Sequence, residues 1–88
     1  MSFAVKVTPA AQKQIRKLDP QAARRIRRFL EGTLQGIENP RVLGTPLVGQ
    51  DFWRYRAGEY RILVNIHDGE LIILVVALAH RRQMYRDV

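Results

Sequence analysis

The sequence predicts an α+β fold in the order β-α-α-β-β-β, a helical hairpin packed on one face of a small, twisted, mainly antiparallel sheet. Three observations carry this. Two helix-start signals, Thr8-Pro9 and Asp19-Pro20, each open an apolar stripe of helical period. Three strand-like runs follow in the second half, separated by short glycine-containing turns. The chain has 88 residues, room for one domain (1–88) with one modest core.

Taken in order, "SFAVKVT" alternates. Phe3, Val5 and Val7 fall on one face and Ala4 and Lys6 on the other, which is a strand pattern. Thr8 then caps a helix whose first residue is Pro9, with Ala11, Ile15 and Leu18 at four- and three-residue steps. Asp19-Pro20 repeats the signal. Ala23, Ile26, Phe29, Leu30 and Leu34 form the stripe of a second helix, which should fade between Gly32 and Gly36. Two helices with almost no linker make a hairpin. "GIENPRVLGTPLVGQ" reads as a loop. "FWRYR" is the next strand, "AGE" a tight turn into "YRILVNI", and "HDGE" another turn into "LIILVVALA". That last run lacks alternation, so it is expected to be central and covered on both faces.

Composition narrows the function. The hydrophobic fraction of 47% is that of a globular chain rather than a disordered one. No run approaches the roughly 18 apolar residues that cross a bilayer. The N-terminus carries no leader pattern, and the expected location is cytoplasmic, with no membrane partner. With no cysteine and two isolated histidines, His67 and His80, neither a disulfide, a metal motif nor a cofactor is expected. The 15 basic residues exceed the 8 acidic ones, giving net charge +7, and most of them are arginine. Guanidinium forks match phosphate bidentately and stack on bases, so a polyanionic partner is the leading expectation.

Strand parity locates that charge. Trp53 and Tyr55 share one face of their strand, and Arg54 and Arg56 the other. In the next strand Ile62, Val64 and Ile66 oppose Arg61, Leu63 and Asn65. If the tight turn pairs the two strands, Arg61 joins Arg54 and Arg56 on the face the helices leave open. The last strand can deliver His80 and Arg81 to the same region. Like charges so gathered repel one another unless an anion is meant to sit there. Arg24, Arg25, Arg27 and Arg28 flank a helix stripe and read as a solvated face, able to add nonspecific attraction to RNA.

With these pieces in order, the sequence resembles the RelE/ParE superfamily of bacterial type II toxins over essentially its whole length. The resemblance rests on the "NPRVLGTPL" loop, the "WRYRAGEYRILVNI" hairpin and the final apolar strand ending in "AHRRQMY". It implies a toxin neutralised by a cognate acidic RelB-like antitoxin, with operator DNA bound only through that antitoxin. RelE-like members cleave messenger RNA in the ribosomal aminoacyl site, and ParE-like members inhibit DNA gyrase. The RelE-like pattern falls on Arg54, Arg56, Arg61, Arg81 and Tyr85. It implies metal-independent attack of a ribose 2′-hydroxyl on the adjacent phosphate. Arg61 and Arg81 would stabilise phosphoryl charge, Arg54, Arg56 and Arg82 would hold RNA, and Tyr85 would position a nucleotide.

One departure bears on mechanism. The founding RelE pattern has lysines where this chain has Arg54 and Arg56, and one of those lysines is assigned as general base. Arginine does not deprotonate in proteins. His80 is then the substitute base by chemistry, although it points opposite to Arg81 along the strand. The alternatives are a ParE-like gyrase inhibitor and a catalytically silent antitoxin-binding module.

Overall fold

In the computed structural model, which describes residues 2–80, the chain runs β1 (Ala4–Val7), α1 (Pro9–Lys17), α2 (Pro20–Arg28), β2 (Thr45–Pro46), β3 (Trp53–Ala57), β4 (Tyr60–His67) and β5 (Ile72–His80). A π-helical segment, Phe29–Leu34, continues α2. The sheet order is β1-β5-β4-β3-β2. Only β1 and β5 run parallel. This is the expected α+β arrangement, with two helices on one face of a mixed five-stranded sheet.

Both helix starts form as their sequence signals require. The Thr8 hydroxyl accepts from the Ala11 amide at 3.2 Å, and Asp19 Oδ1 accepts from the Gln21 and Ala22 amides, each at 3.0 Å. Proline at the first helical position of each lacks a donor that would have gone unused. The stripes then pack on the sheet. Ala11, Ile15, Ala23, Ile26, Leu30 and Leu34 are buried against Phe3, Tyr55, Ile62, Val64, Ile73, Val75 and Leu78. The second helix ends where expected but widens first. The Gln35 amide reaches back five residues to the Leu30 carbonyl at 2.9 Å. The widened turn keeps both Leu30 and Leu34 on the core. Gly36, at φ +85°, then turns the chain back so that its amide meets the Phe3 carbonyl.

β5 differs from its expected environment. It is flanked by strands on both sides, but among the described residues helices cover only one of its faces. Its register against β4 slips by one residue: Val64 pairs with Val75, while Leu63 pairs with Ala77. Val76 is the extra residue of a β-bulge. The buried positions are therefore Ile73, Val75 and Leu78, spaced two and then three. The intervening residues Ile72, Leu74, Val76, Ala77 and Ala79 are apolar and half-buried, so the run shows no alternation although only part of it is fully buried. The loop before β3 also holds a short strand, β2, whose Thr45 and Pro46 pair with Arg54 and Trp53. Its proline is tolerated because β2 lies at the sheet edge.

β1 pairs with β5 only as far as Val75. Beyond it α1 takes over. Gln14 Nε2 donates to the Leu78 carbonyl at 3.0 Å, and the Leu78 amide donates to Gln14 Oε1 at 2.8 Å. One side-chain amide thus stands in for a neighbouring strand and holds the end of β5.

Asp19→Ala removes an acceptor shared by two helix amides. We expect it to lower stability by about 1 kcal/mol in urea unfolding.

Candidate nucleic-acid interface

The β3–β4 hairpin builds the interface. Its two-residue turn needs positive φ at the first position, and Gly58 supplies it at +63°. The turn sets Arg56 directly opposite Arg61 and Arg54 opposite Leu63. Cross-strand partners share a face. The interleaved residues Tyr55 and Ile62 are 1% and 0% exposed against the helices, so Arg54, Arg56 and Arg61 lie on the other face. The structure brings these three expected residues together.

Their environments differ. Arg56 is exposed and Arg54 half-buried. Arg61, between Arg56 of β3 and Ala79 of β5, is only 7% exposed. Its Nη1 is buried without a hydrogen-bond partner. A buried donor of this kind costs about 1–3 kcal/mol, more when charged. Facing Arg56 adds like-charge repulsion. Among the described residues no carboxylate makes an ion pair with any of the three.

His80 goes elsewhere. The bulge at Val76 turns the last part of β5 over, and His80 stands opposite Tyr60 on the helix side of the sheet. Its ring meets that of Tyr60 edge-on, with centroids 5.4 Å apart, and its Nε2 lies 3.2 Å from Glu59 Oε2. The structure does not bring it beside Arg56 and Arg61. Arg81, Arg82 and Tyr85 lie outside the described residues. Among the described residues no group of three or more His, Cys, Asp or Glu side chains could hold a metal ion.

The loop ahead of β3 is fixed by contacts that parity alone does not reveal. Arg41 forms a fork with Asp68, Nη1 to Oδ1 at 2.8 Å and Nη2 to Oδ2 at 2.7 Å. Its guanidinium carbon lies 5.6 Å from the centre of the Trp53 ring, a cation–π contact. The hydrogen bond from Arg41 holds the Asp68 carboxyl below its ordinary pKa. The Tyr55 hydroxyl donates to the Pro40 carbonyl. Gly44 passes so close that a Cβ there would lie 3.1 Å from Trp53 and 3.2 Å from Tyr55. The only sequence sign of this clamp is an arginine inside the "NPRVLG" turn signals.

A helical hairpin on one face of a mixed five-stranded sheet is the fold of RelE-like toxins of known structure. The chain belongs to the family described as ParE toxin of type II toxin-antitoxin system, parDE, whose model matches residues 5–85; it is a toxin of the RelE/ParE superfamily. It is 28% identical to toxin RelG of Mycobacterium tuberculosis over 88 residues, 98% of this chain and 99% of that one. The toxin–antitoxin complex RelBE2 of M. tuberculosis contains a chain that superposes with a TM-score of 0.82 at 26% identity, over 92% of this chain and 100% of that one. A double arginine-to-alanine mutant of Escherichia coli toxin RelE in the free state shares the fold with a TM-score of 0.73 at 21% identity, over 98% of this chain and 93% of that one.

Two predictions follow from the clamp. Burial raises the Tyr55 phenol to about 12. Stability tied to its protonated form is complete below the unfolded phenol's pKa of about 10. It is lost as pH climbs from there towards the folded value, because the unfolded chain ionises first. Tyr55→Phe should therefore weaken the fold by about 1–2 kcal/mol at neutral pH by orphaning the Pro40 carbonyl, and should show a shallower alkaline loss in urea unfolding. Asp68, with its pKa lowered, contributes stability above the unfolded carboxylate value, and this is lost as pH falls through the folded one. Asp68→Asn should melt slightly below the wild type at neutral pH, with the gap closing in acid.

Proposed function

We propose that this toxin is an endoribonuclease that cuts messenger RNA in the ribosomal aminoacyl site and so inhibits translation. The observation that carries the reading is Arg61, a nearly buried guanidinium with an unpartnered Nη1, set directly opposite the exposed Arg56. Such an arrangement is electrostatically unfavourable by itself and suited to a phosphate. In the proposed reaction a ribose 2′-hydroxyl gives its proton to solvent water as its oxygen bonds to the adjacent phosphorus, and the 5′-oxygen leaves with a proton from water, giving a 2′,3′-cyclic phosphate and a 5′-hydroxyl. Negative charge grows on the phosphoryl oxygens. Arg61 stabilises it from a rigid strand, assisted by Arg81, while Arg54, Arg56 and Arg82 hold the backbone and Tyr85 stacks on a base.

Arg54 and Arg56 remain protonated and cannot act as bases. His80, on the helix side with Glu59, is not within the arginine cluster. The reading therefore assigns the rate to alignment of the 2′-oxygen and to fixed charge. The partner is an acidic RelB-like antitoxin. The structural neighbours from M. tuberculosis and Pyrococcus horikoshii are toxins in RelB–RelE complexes, which supports it. Coverage of the arginine face would neutralise charge otherwise offered to RNA. A second reading, inhibition of DNA gyrase, is favoured by the ParE description of the matching family.

Primer extension on a defined mRNA in a purified translation system tests the proposal. Wild type should cut within the aminoacyl-site codon. Arg61→Ala and Arg81→Ala should reduce cutting by at least about 100-fold, on the scale of a lost charge-stabilising donor, while keeping wild-type circular dichroism. Growth arrest without any cutting would move the assignment to gyrase.

A further inference from the structure

The helix α2 carries four arginines in nine residues, and the reaction proposed above uses none of them. Arg24, Arg25, Arg27 and Arg28 are all exposed. Among the described residues none of them makes an ion pair. The helix dipole gives them little support, because the helical run continues through the π-helical segment to Leu34, beyond the reach of the last turn. Arg24 and Arg28, one turn apart at about 6 Å along the axis, repel each other.

Their directions differ in a way that covers the whole outer surface of the helix. Arg27 borders the groove towards β1, beside Val5, Val7 and Arg16. Arg24, Arg27 and Arg28 line a shallow cleft of about 470 Å³ along the crest, with Glu31 as its one acidic neighbour. Arg25 reaches the opposite way. A Cβ at Gly58 would lie 2.6 Å from Arg25 Nη1 and 2.9 Å from its Cδ, so this side chain rests on the β3–β4 turn. That turn is flanked by the Arg56–Arg61 pair.

We infer that the outer surface of α2 is a second RNA-binding face, a phosphate-binding belt that runs around the β3–β4 turn to the arginine face and holds structured RNA by its backbone. RNA fits better than an acidic protein because the crest offers charge without an apolar anchor. Among the described residues the exposed large hydrophobics, Val42, Leu43 and Val48, lie on the loop before β3 instead. Protein interfaces need an apolar centre. Backbone recognition of a duplex needs phosphate contacts and shape. The ligand class rests on the RNA-directed reading of this toxin, but the test does not depend on cleavage.

The probe is a blunt RNA duplex of arbitrary sequence, bound by purified toxin and titrated with salt. The triple variant Arg24→Gln/Arg27→Gln/Arg28→Gln should bind more weakly, and its log–log salt slope should be shallower by about two to three, one per lost phosphate contact. Lysine at all three positions should restore the slope. Unfolding melts of each variant exclude loss of fold. An unchanged slope in the triple glutamine variant would overturn the inference. So would lost affinity for poly-glutamate with duplex binding intact, which would give the face to an acidic protein. A toxin that binds the duplex this way yet cuts no mRNA would retain the belt and refute the nuclease reading alone.

Discussion

The structure depends on one constraint: a single layer of helices must bury its apolar stripes on a sheet that has two faces. Ile15, Ile26, Leu30 and Leu34 take one face, and Tyr55, Ile62, Val64, Ile73 and Val75 meet them there. Everything of opposite parity on β3 and β4 goes to the other side. Burial of each large apolar side chain contributes about 1.5–3 kcal/mol. The sum over this core exceeds the repulsion among three guanidiniums. A cationic face that opposes its own assembly is therefore held in place by packing on the reverse side of the same strands.

The same logic sets the rigidity of the site. Arg56 and Arg61 sit on paired strands beside a two-residue turn, and the neighbouring loop is fastened by Arg41 to Asp68 and by Tyr55 to Pro40. Side chains mounted this way lose little freedom when an anion arrives, so less binding energy goes into ordering them.

Much of this was legible in the sequence. Thr8-Pro9 and Asp19-Pro20 are local signals, and local signals survive folding. The parity of "FWRYR" and "YRILVNI" placed the arginines because a period of two admits only two faces. What escaped is what depends on distant partners. "LIILVVALA" is apolar at every position, so a one-residue slip leaves no mark in it, and only pairing with β4 reveals the bulge at Val76. The depth of Arg61 beside Ala79 and the Arg41–Asp68 fork join residues far apart in the chain, and β2, two residues long, is too short to show a period. The role of Gln14 has no mark in the sequence either, because it arises only where β1 stops short of Leu78.

The bulge has a consequence for how this chain tolerates change. Substitutions within β5 swap one apolar group for another and leave its geometry alone. Insertion or loss of a single residue there acts differently. It would invert which side of the sheet Ala79 and His80 occupy, with the composition of the strand scarcely altered. For the far end of this toxin, the count of residues in β5 is a stricter inheritance than their identity, and a frame of one residue decides which side chains meet the arginine face.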